Sequence, residues 1–250
     1  NTDLISGYTN SSIGISEQVT LNVGVNARVL TLNNSWTLEP RAGIKWQFSP
    51  KSSFALAYGL HSRMEKMDVY FVKTQGTGDR SVNKDLGFTR AHHVMLSYGF
   101  KISDNMNMKI EPYFQQLYDV PVIADSSYSV LNRRDFYVEN ALVNRGKGRN
   151  IGVDITLERY LNKGLYYMVT ASIFDSKYYG GDRKWRNTLY NRNFIINVLG
   201  GKEWMVGRDK QNMFSVNFKI TLQGGDRYAP VDEVATLLDP DREVQYDETK

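Results

Sequence analysis

Period-two alternation of apolar and polar residues, sustained over long segments, is the feature that most narrows what this chain can become. From Asn150 to Glu158, Ile151, Val153, Ile155 and Leu157 alternate without a break with Asn150, Gly152, Asp154, Thr156 and Glu158. Successive side chains of a strand point to opposite faces, so this segment has one greasy face and one polar face. The same texture recurs along the chain. Val19, Leu21, Val23, Val25, Ala27 and Val29 oppose Thr20, Asn22, Gly24, Asn26 and Arg28. Trp36, Leu38, Ala42, Ile44, Trp46 and Phe48 oppose Glu39, Arg41, Gly43, Lys45 and Gln47. Further alternating sets run through Phe54–Leu60, Val94–Phe100, Met108–Phe114, Leu165–Ile173 and Phe214–Leu222. Residues 192–204 are apolar at both parities, so their orientation stays open. With a short strand near 2–9 the pattern predicts about ten strands, each near the ~9–11 residues a tilted membrane strand needs and longer than the ~5–6 of ordinary sheets.

Alternation alone does not say whether the greasy face meets a protein core or lipid. Composition leaves the question open. Hydrophobic residues make up 41% of the 250 residues and the mean hydropathy is -0.45, which is soluble in bulk terms. No apolar run approaches the ~18 residues of a spanning helix, which excludes a helical membrane protein but not a β-barrel with a polar lumen. There are 16 Tyr, 11 Phe, 20 Gly and no Cys, so thiolate chemistry and a disulfide scaffold are excluded. The 31 basic and 27 acidic residues are dispersed without a basic block, which argues against nucleic-acid binding. The start at Asn1 and the acidic end DPDREVQYDETK both read as cuts through a longer protein.

The connections decide between core and lipid. Tight turns at 49–52, 103–106, 161–164 and 205–211 alternate with long links at 62–88, 119–147 and 178–191. Those links are roughly 27, 29 and 14 residues long against a usual median of ~4–6. Short turns on one rim and long loops on the other are what an up-and-down membrane barrel produces, whereas a Greek-key sandwich has no reason to sort its loops. Aromatic residues gather at both rims: Trp46, Phe48, Phe54, Phe100, Tyr160, Tyr166 and Trp204 by the short turns, and Trp36, Tyr118, Tyr178 and Tyr179 toward the other end. Such rings suit the headgroup level of a bilayer. Pro40 and Pro112 fall inside strand patterns, each after a glutamate, and predict bulges or strand ends there.

No catalytic or metal site emerges, and no cofactor is implied. His61, His92 and His93 are the three histidines, and His92 and His93 would point to opposite faces of one strand. His61-Ser62 lacks a G-x-S-x-G elbow. Asp154 and Glu158 share a face but stand four strand residues apart, too far for an acid/base pair. They belong instead with Arg41, Lys45, Lys109 and Lys219 in a polar lining, paired across strands or with water and plug residues. The tail carboxylates Asp239, Asp241, Glu243, Asp247 and Glu248 lack a calcium-loop pattern. Gly146-Lys147-Gly148 and Gly180-Gly181 precede no helix and read as loop punctuation. The long loops, with Met64–Phe71 and Ser126–Tyr137, mix aromatic, charged and polar groups and are where ligand binding is expected, though no individual ligand-binding residue is assigned.

The run WTLEPRAGIKWQFSPKSSFALAYGLHSR resembles a barrel segment of TonB-dependent outer-membrane receptors, nearest the Bacteroidetes type that carries a carboxypeptidase-regulatory-like N-terminal domain. RAHHVMLSYGFKISDNMNMKIEPYFQQLYDVPV, LVNRGKGRNIGVDITLERYLNKGLYYMVTASIFDSKY and WRNTLYNRNFIINVLGGKEW continue the likeness in order, from about residue 20 to about 231. The resemblance implies a partial, antiparallel transmembrane β-barrel: residues 1–250 would be about ten strands of a 22-stranded barrel, without its plug or closing strands. It also implies a place in the outer membrane of a Gram-negative bacterium, among outer-membrane lipid. The function it implies is non-enzymatic import of a scarce nutrient (siderophore, haem-like cofactor, peptide or glycan), energised through an N-terminal contact with the TonB complex. Likeness to the glycan-importing branch would add a surface lipoprotein partner. The other functions weighed are a passive porin or structural barrel and, third, an outer-membrane enzyme such as a lipase or protease.

Overall fold

The computed structural model describes residues 2–74, 80–133, 137–238, 240 and 247. Ten strands follow one another in a meander in which each pairs antiparallel with the next: β1 (Leu4–Gly14), β2 (Val19–Leu30), β3 (Ser35–Ser49), β4 (Ser52–Arg63), β5 (Thr89–Ser103), β6 (Met106–Val122), β7 (Val143–Asn162), β8 (Leu165–Tyr179), β10 (Phe194–Val206) and β11 (Asn212–Gln223). The three-residue β9 (Trp185–Asn187) pairs with the far end of β8, beside the main path. A short α1 (Met67–Tyr70) and α2 (Glu233–Leu238) complete the elements, with a 3-10 turn at Val130–Asn132. No helix among the described residues is long and apolar enough to cross a membrane. The outer edges of β1 and β11 have no strand partner among the described residues, so the sheet is open.

The alternation read from sequence survives pairing. On β7, Ile151, Val153, Ile155 and Leu157 lie opposite Phe114, Pro112, Ile110 and Met108 of β6, and opposite Asp175, Ile173, Ala171 and Val169 of β8. A one-residue slip would mix the faces; the register prevents it and leaves an apolar face that gives way to Asp175 only at its cap end. The same register settles residues 192–204. Phe194, Ile196 and Val198 join Ile173, Ala171 and Val169 on the apolar face, while Asn197 faces Thr170 and Thr221 on the other. Parity also corrects three of the rim aromatics. Tyr178 pairs with Gly148 on the polar face and is buried, Tyr166 donates to Asn217 Oδ1 at 2.9 Å, and Tyr160 accepts from Asn107 there. On the apolar face the rings by the short turns do cluster: Trp46 lies 5.4 Å from Phe48, Phe48 lies 6.5 Å from Tyr98, and Trp204 lies 5.7 Å from Phe214.

Neither proline sits at a bulge. Pro40 keeps regular register with Val25, and the β3–β4 ladder begins only at Arg41, so its missing N–H falls where β3 has no second neighbour. Pro112 pairs with Val153, and the β5–β6 ladder is interrupted between Tyr113 and Ile110 without a shift in register. Each proline is accommodated by a gap on one side of its strand.

The buried apolar side chains gather at one rim. Leu30, Val69, Tyr70, Leu86, Phe88 and Leu142 form a core drawn from the 31–34 turn end, the 64–88 link and the start of β7, with Met64, Met67, Tyr128 and Val130 packed against it. The long links thus fold into a cap with an apolar interior. Asn33 stitches the β2–β3 turn to it by donating to Lys84 O and Leu86 O at 2.9 and 2.8 Å.

Candidate functional site: the polar face and the loop cap

The polar face carries a cross-strand ribbon immediately below the cap. Pairing aligns Arg41, Gly59, His93, Gln115, Asn150 and Ser176 in one row across six strands. Their side chains link up. The Gln115 amide lies 2.5 Å from His93 Nε2, Asn150 Nδ2 donates to Gln115 Oε1 at 2.5 Å, Ser176 Oγ donates to Asn150 Oδ1 at 2.7 Å, and Thr188 Oγ1 donates to Ser176 Oγ at 3.0 Å. Lower on the same face, Thr221 donates to Asn197 and Asn197 donates to Thr170. Each member satisfies its neighbour, which fixes rotamers along the row.

At the β2–β4 end the ribbon becomes charged. Glu39, 1% exposed, accepts from Ser62 Oγ at 2.5 Å and Asn26 Nδ2 at 3.1 Å. Arg41 lies 3.2 Å from Glu39 Oε2 and Arg28 lies 3.6 Å from Oε1. Two guanidiniums on one carboxylate leave this corner net positive. Beside it His61 and His93 meet edge-on with ring centroids 4.7 Å apart. Gly59 makes that possible, because a Cβ there would come 2.7 Å from His61 Nε2. Gly152 plays the same part for Tyr113, whose hydroxyl crosses over it. A cavity of about 710 Å³ opens here, lined by Asn10, Asn22, Arg41, His61, His93 and Met95 around Gly24 and Gly59.

The sequence-singled residues fall out as follows. His92 and His93 do face opposite ways: His92 Nδ1 lies 2.9 Å from Tyr58 OH and its ring stacks 5.2 Å from Tyr118. Ser62 hydrogen-bonds to Glu39, so His61-Ser62 is not set up as a nucleophile and base. Among the described residues no group of three or more His, Asp or Glu side chains could hold a metal. Asp154 accepts from Ser172 Oγ at 2.5 Å and has no ion pair within 4.0 Å among the described residues, and Glu158 is two rows further down. Cations and carboxylates of this face pair largely along one strand rather than across strands: Lys109 with Glu111 at 2.7 Å and Arg41 with Glu39, each two residues apart, where alternation puts them on one face. Lys45 and Lys219 lie on the same face, opposite Thr20 and Leu199. Asp239, Asp241, Glu243, Glu248 and Phe136 lie outside the described residues, and Asp247 donates its N–H to Pro230 O.

The cap holds a second cavity, about 380 Å³, among Tyr128, Asn132, Tyr178, Arg186, Arg227 and Tyr228. Arg186 is clamped by Asp182 through paired contacts of 2.9 and 2.6 Å, and these hold the Asp182 carboxyl below its ordinary range. In the core of the cap, burial pushes the Glu65 carboxyl above its ordinary range, with Arg63 at 3.7 Å and the Arg133 charge offsetting part of that. Burial likewise raises the Tyr70 phenol, whose oxygen accepts from Glu65 N–H at 3.3 Å. Neither the ribbon nor the cap core could be found by spacing: His61 and His93 are brought together by the β4–β5 register, and the core comes from four separated segments.

No family model and no curated protein sequence matches the chain. Solved structures do. The outer membrane transporter YddB from Escherichia coli superimposes with a TM-score of 0.66 at 12% identity, covering 98% of this chain and 36% of that one. The ferric-catecholate import receptor Fiu from E. coli K12 gives 0.61 at 10% identity over 83% and 32%, and the ferripyoverdine receptor of the Pseudomonas aeruginosa outer membrane gives 0.57 at 13% over 88% and 32%. The chain spans about a third of the length of these structures. By fold it is therefore a partial antiparallel β-barrel of the kind built by outer-membrane transport receptors, and the apolar face is the one such a barrel turns to lipid.

Proposed function

We propose that this chain is one wall of an outer-membrane receptor, part of a single barrel domain, that captures a scarce nutrient and imports it with energy from the TonB system. The observation that carries the reading is the sorting of chemistry by face and rim. Apolar side chains form one face, a hydrogen-bonded ribbon with a net positive corner forms the other, and the long links fold into a cap above that ribbon. Fold likeness to import receptors supports transport over an enzyme. In this reading the cap and the polar face take up the ligand, a plug supplied by another part of the protein is pulled to open the path, and further strands pair with the free edges of β1 and β11. The ligand is a siderophore, haem-like cofactor, peptide or glycan. The finer assignment, a Bacteroidetes-type receptor with a carboxypeptidase-regulatory-like N-terminal domain and a surface lipoprotein partner, rests on sequence texture.

Uptake of candidate nutrients by cells carrying the full-length gene tests the proposal. Import that stops when the TonB-binding segment is deleted agrees with it; undiminished import contradicts it and favours a passive porin.

A further inference from the structure

The run Arg145-Gly146-Lys147-Gly148-Arg149 continues β7 beyond its apolar stretch. Gly146 and Gly148 are buried against the cap, and a Cβ on Gly148 would come 2.7 Å from Leu131 and 3.1 Å from Leu117. The intervening cations are therefore exposed on the opposite face, the one that carries Ile151 two residues further on. Register places Lys147 beside Tyr179 and Arg149 beside Lys177, and β9 sets Trp185 against Tyr179. Lys147 Nζ lies 5.7 Å from the centre of the Tyr179 ring, and the Arg149 guanidinium lies 5.6 Å from that of Trp185. Trp185 is itself 44% exposed, and Lys184 adds another exposed cation.

Arg28, Arg41 and Lys109 of the polar face each have a carboxylate within 4.0 Å, as does the cap's Arg186, and on the outer face Lys177 pairs with Asp175 at 3.3 Å; among the described residues Arg145, Lys147 and Arg149 have none, nor do Lys45 and Lys219. Net positive charge, with Asp175 the one carboxylate placed beside it by register, thus sits with a tyrosine and a tryptophan directly above a lipid-facing stripe, at the level where headgroups lie. We propose that Lys147 and Arg149, framed by Tyr179 and Trp185, bind the phosphate groups of a phosphorylated glycolipid in the outer leaflet of the membrane. The guanidinium supplies a bidentate phosphate contact and the ammonium a point charge. The two Cα atoms stand about 6.6 Å apart along the strand, within reach of one headgroup. The inference rests on the outer-membrane reading of the apolar face.

The test uses the full-length receptor purified in neutral detergent, with mixed micelles containing a bisphosphorylated acyl-disaccharide as the probe. Binding is expected to weaken with added salt and to be lost when the same lipid is dephosphorylated. Lys147→Gln/Arg149→Gln should bind about 25-fold more weakly, taking about a fivefold loss per cation. The charge-retaining pair Lys147→Arg/Arg149→Lys should keep most of the affinity, as should Lys45→Gln/Lys219→Gln on the opposite face. Equal binding of the dephosphorylated lipid, an unchanged affinity in the Gln pair, or displacement of the lipid by millimolar inorganic phosphate would each overturn the proposal. Nutrient uptake is scored separately in cells, so loss of one result leaves the other readable.

Discussion

Tyr70, Val69, Leu86 and Phe88 in the cap are almost wholly buried, whereas Ile151 and Ile155 on β7 are 49% and 36% exposed. Both sets are large and apolar, and they obey different solvents. The cap buries its apolar groups against each other, as a water-soluble domain does, with Asn83 and Asn33 satisfying backbone groups inside it. The wall exposes its apolar groups on one face and places most of its side-chain hydrogen bonds on the other, an arrangement stable only where hydrocarbon takes the place of a core. Substitutions should therefore obey core rules in the cap and depth rules in the wall.

The largest effect is expected at Tyr70. Tyr70→Ala removes the most buried ring of the cap and should cost about 3–5 kcal/mol locally, read as faster amide exchange at Val82 and Leu86 with unchanged exchange in the β7–β8 ladder. Loss of protection in both places would mean that cap and wall are one cooperative unit. Next comes the wall. Ile155→Arg puts a charge on the apolar face and should cost about 2–4 kcal/mol in urea unfolding of the whole barrel from vesicles, while Thr156→Arg, one residue on, should cost much less. The reverse order would invert the faces. Within the cap, Asn83→Ala orphans the Leu142 N–H, which donates to Asn83 Oδ1 at 2.8 Å, and the Asn140 carbonyl, and should cost about 1–3 kcal/mol.

The smallest effect is a pH dependence. Burial raises the Glu65 carboxyl, so its contribution to cap stability is complete below the ordinary carboxylate range and is lost as pH rises through the raised value. Asp182, lowered by Arg186, works the other way and its contribution is lost as pH falls. Glu65→Gln should therefore flatten the decline in cap protection on the alkaline side and leave the acid limb in place. An acid limb that disappears instead would assign the titration wrongly.

The wall was legible in the sequence because its alternation, strand length and loop sorting are local properties, read without knowing any partner. β1 is the exception that explains the rule. Its apolar-face positions include Gly7, Thr9 and Ser11, so the alternation is weak and the strand runs to Gly14, well past the expected end near residue 9. β9, at three residues, is too short to show a period and was hidden inside the 178–191 link. Tyr160, Tyr166 and Tyr178 look like rim aromatics by position in the chain, yet which face they take depends on parity, and all three fall on the polar side. The ribbon and the cap were not legible at all. His93, Gln115, Asn150 and Ser176 become neighbours only through three separate registers, and the cap core packs segments joined by no local pattern.

The central claim is that Ile151, Val153, Ile155 and Leu157 face lipid. Single cysteines can be placed from 151 to 158 of the full-length protein in its native membrane, with no background from residues 1–250, which contain no cysteine. Spin labels there should alternate with period two, with collision by oxygen dissolved in the bilayer dominant at 151, 153, 155 and 157 and low at 154, 156 and 158. Absence of alternation, or oxygen access greatest at 154, 156 and 158, would contradict the account.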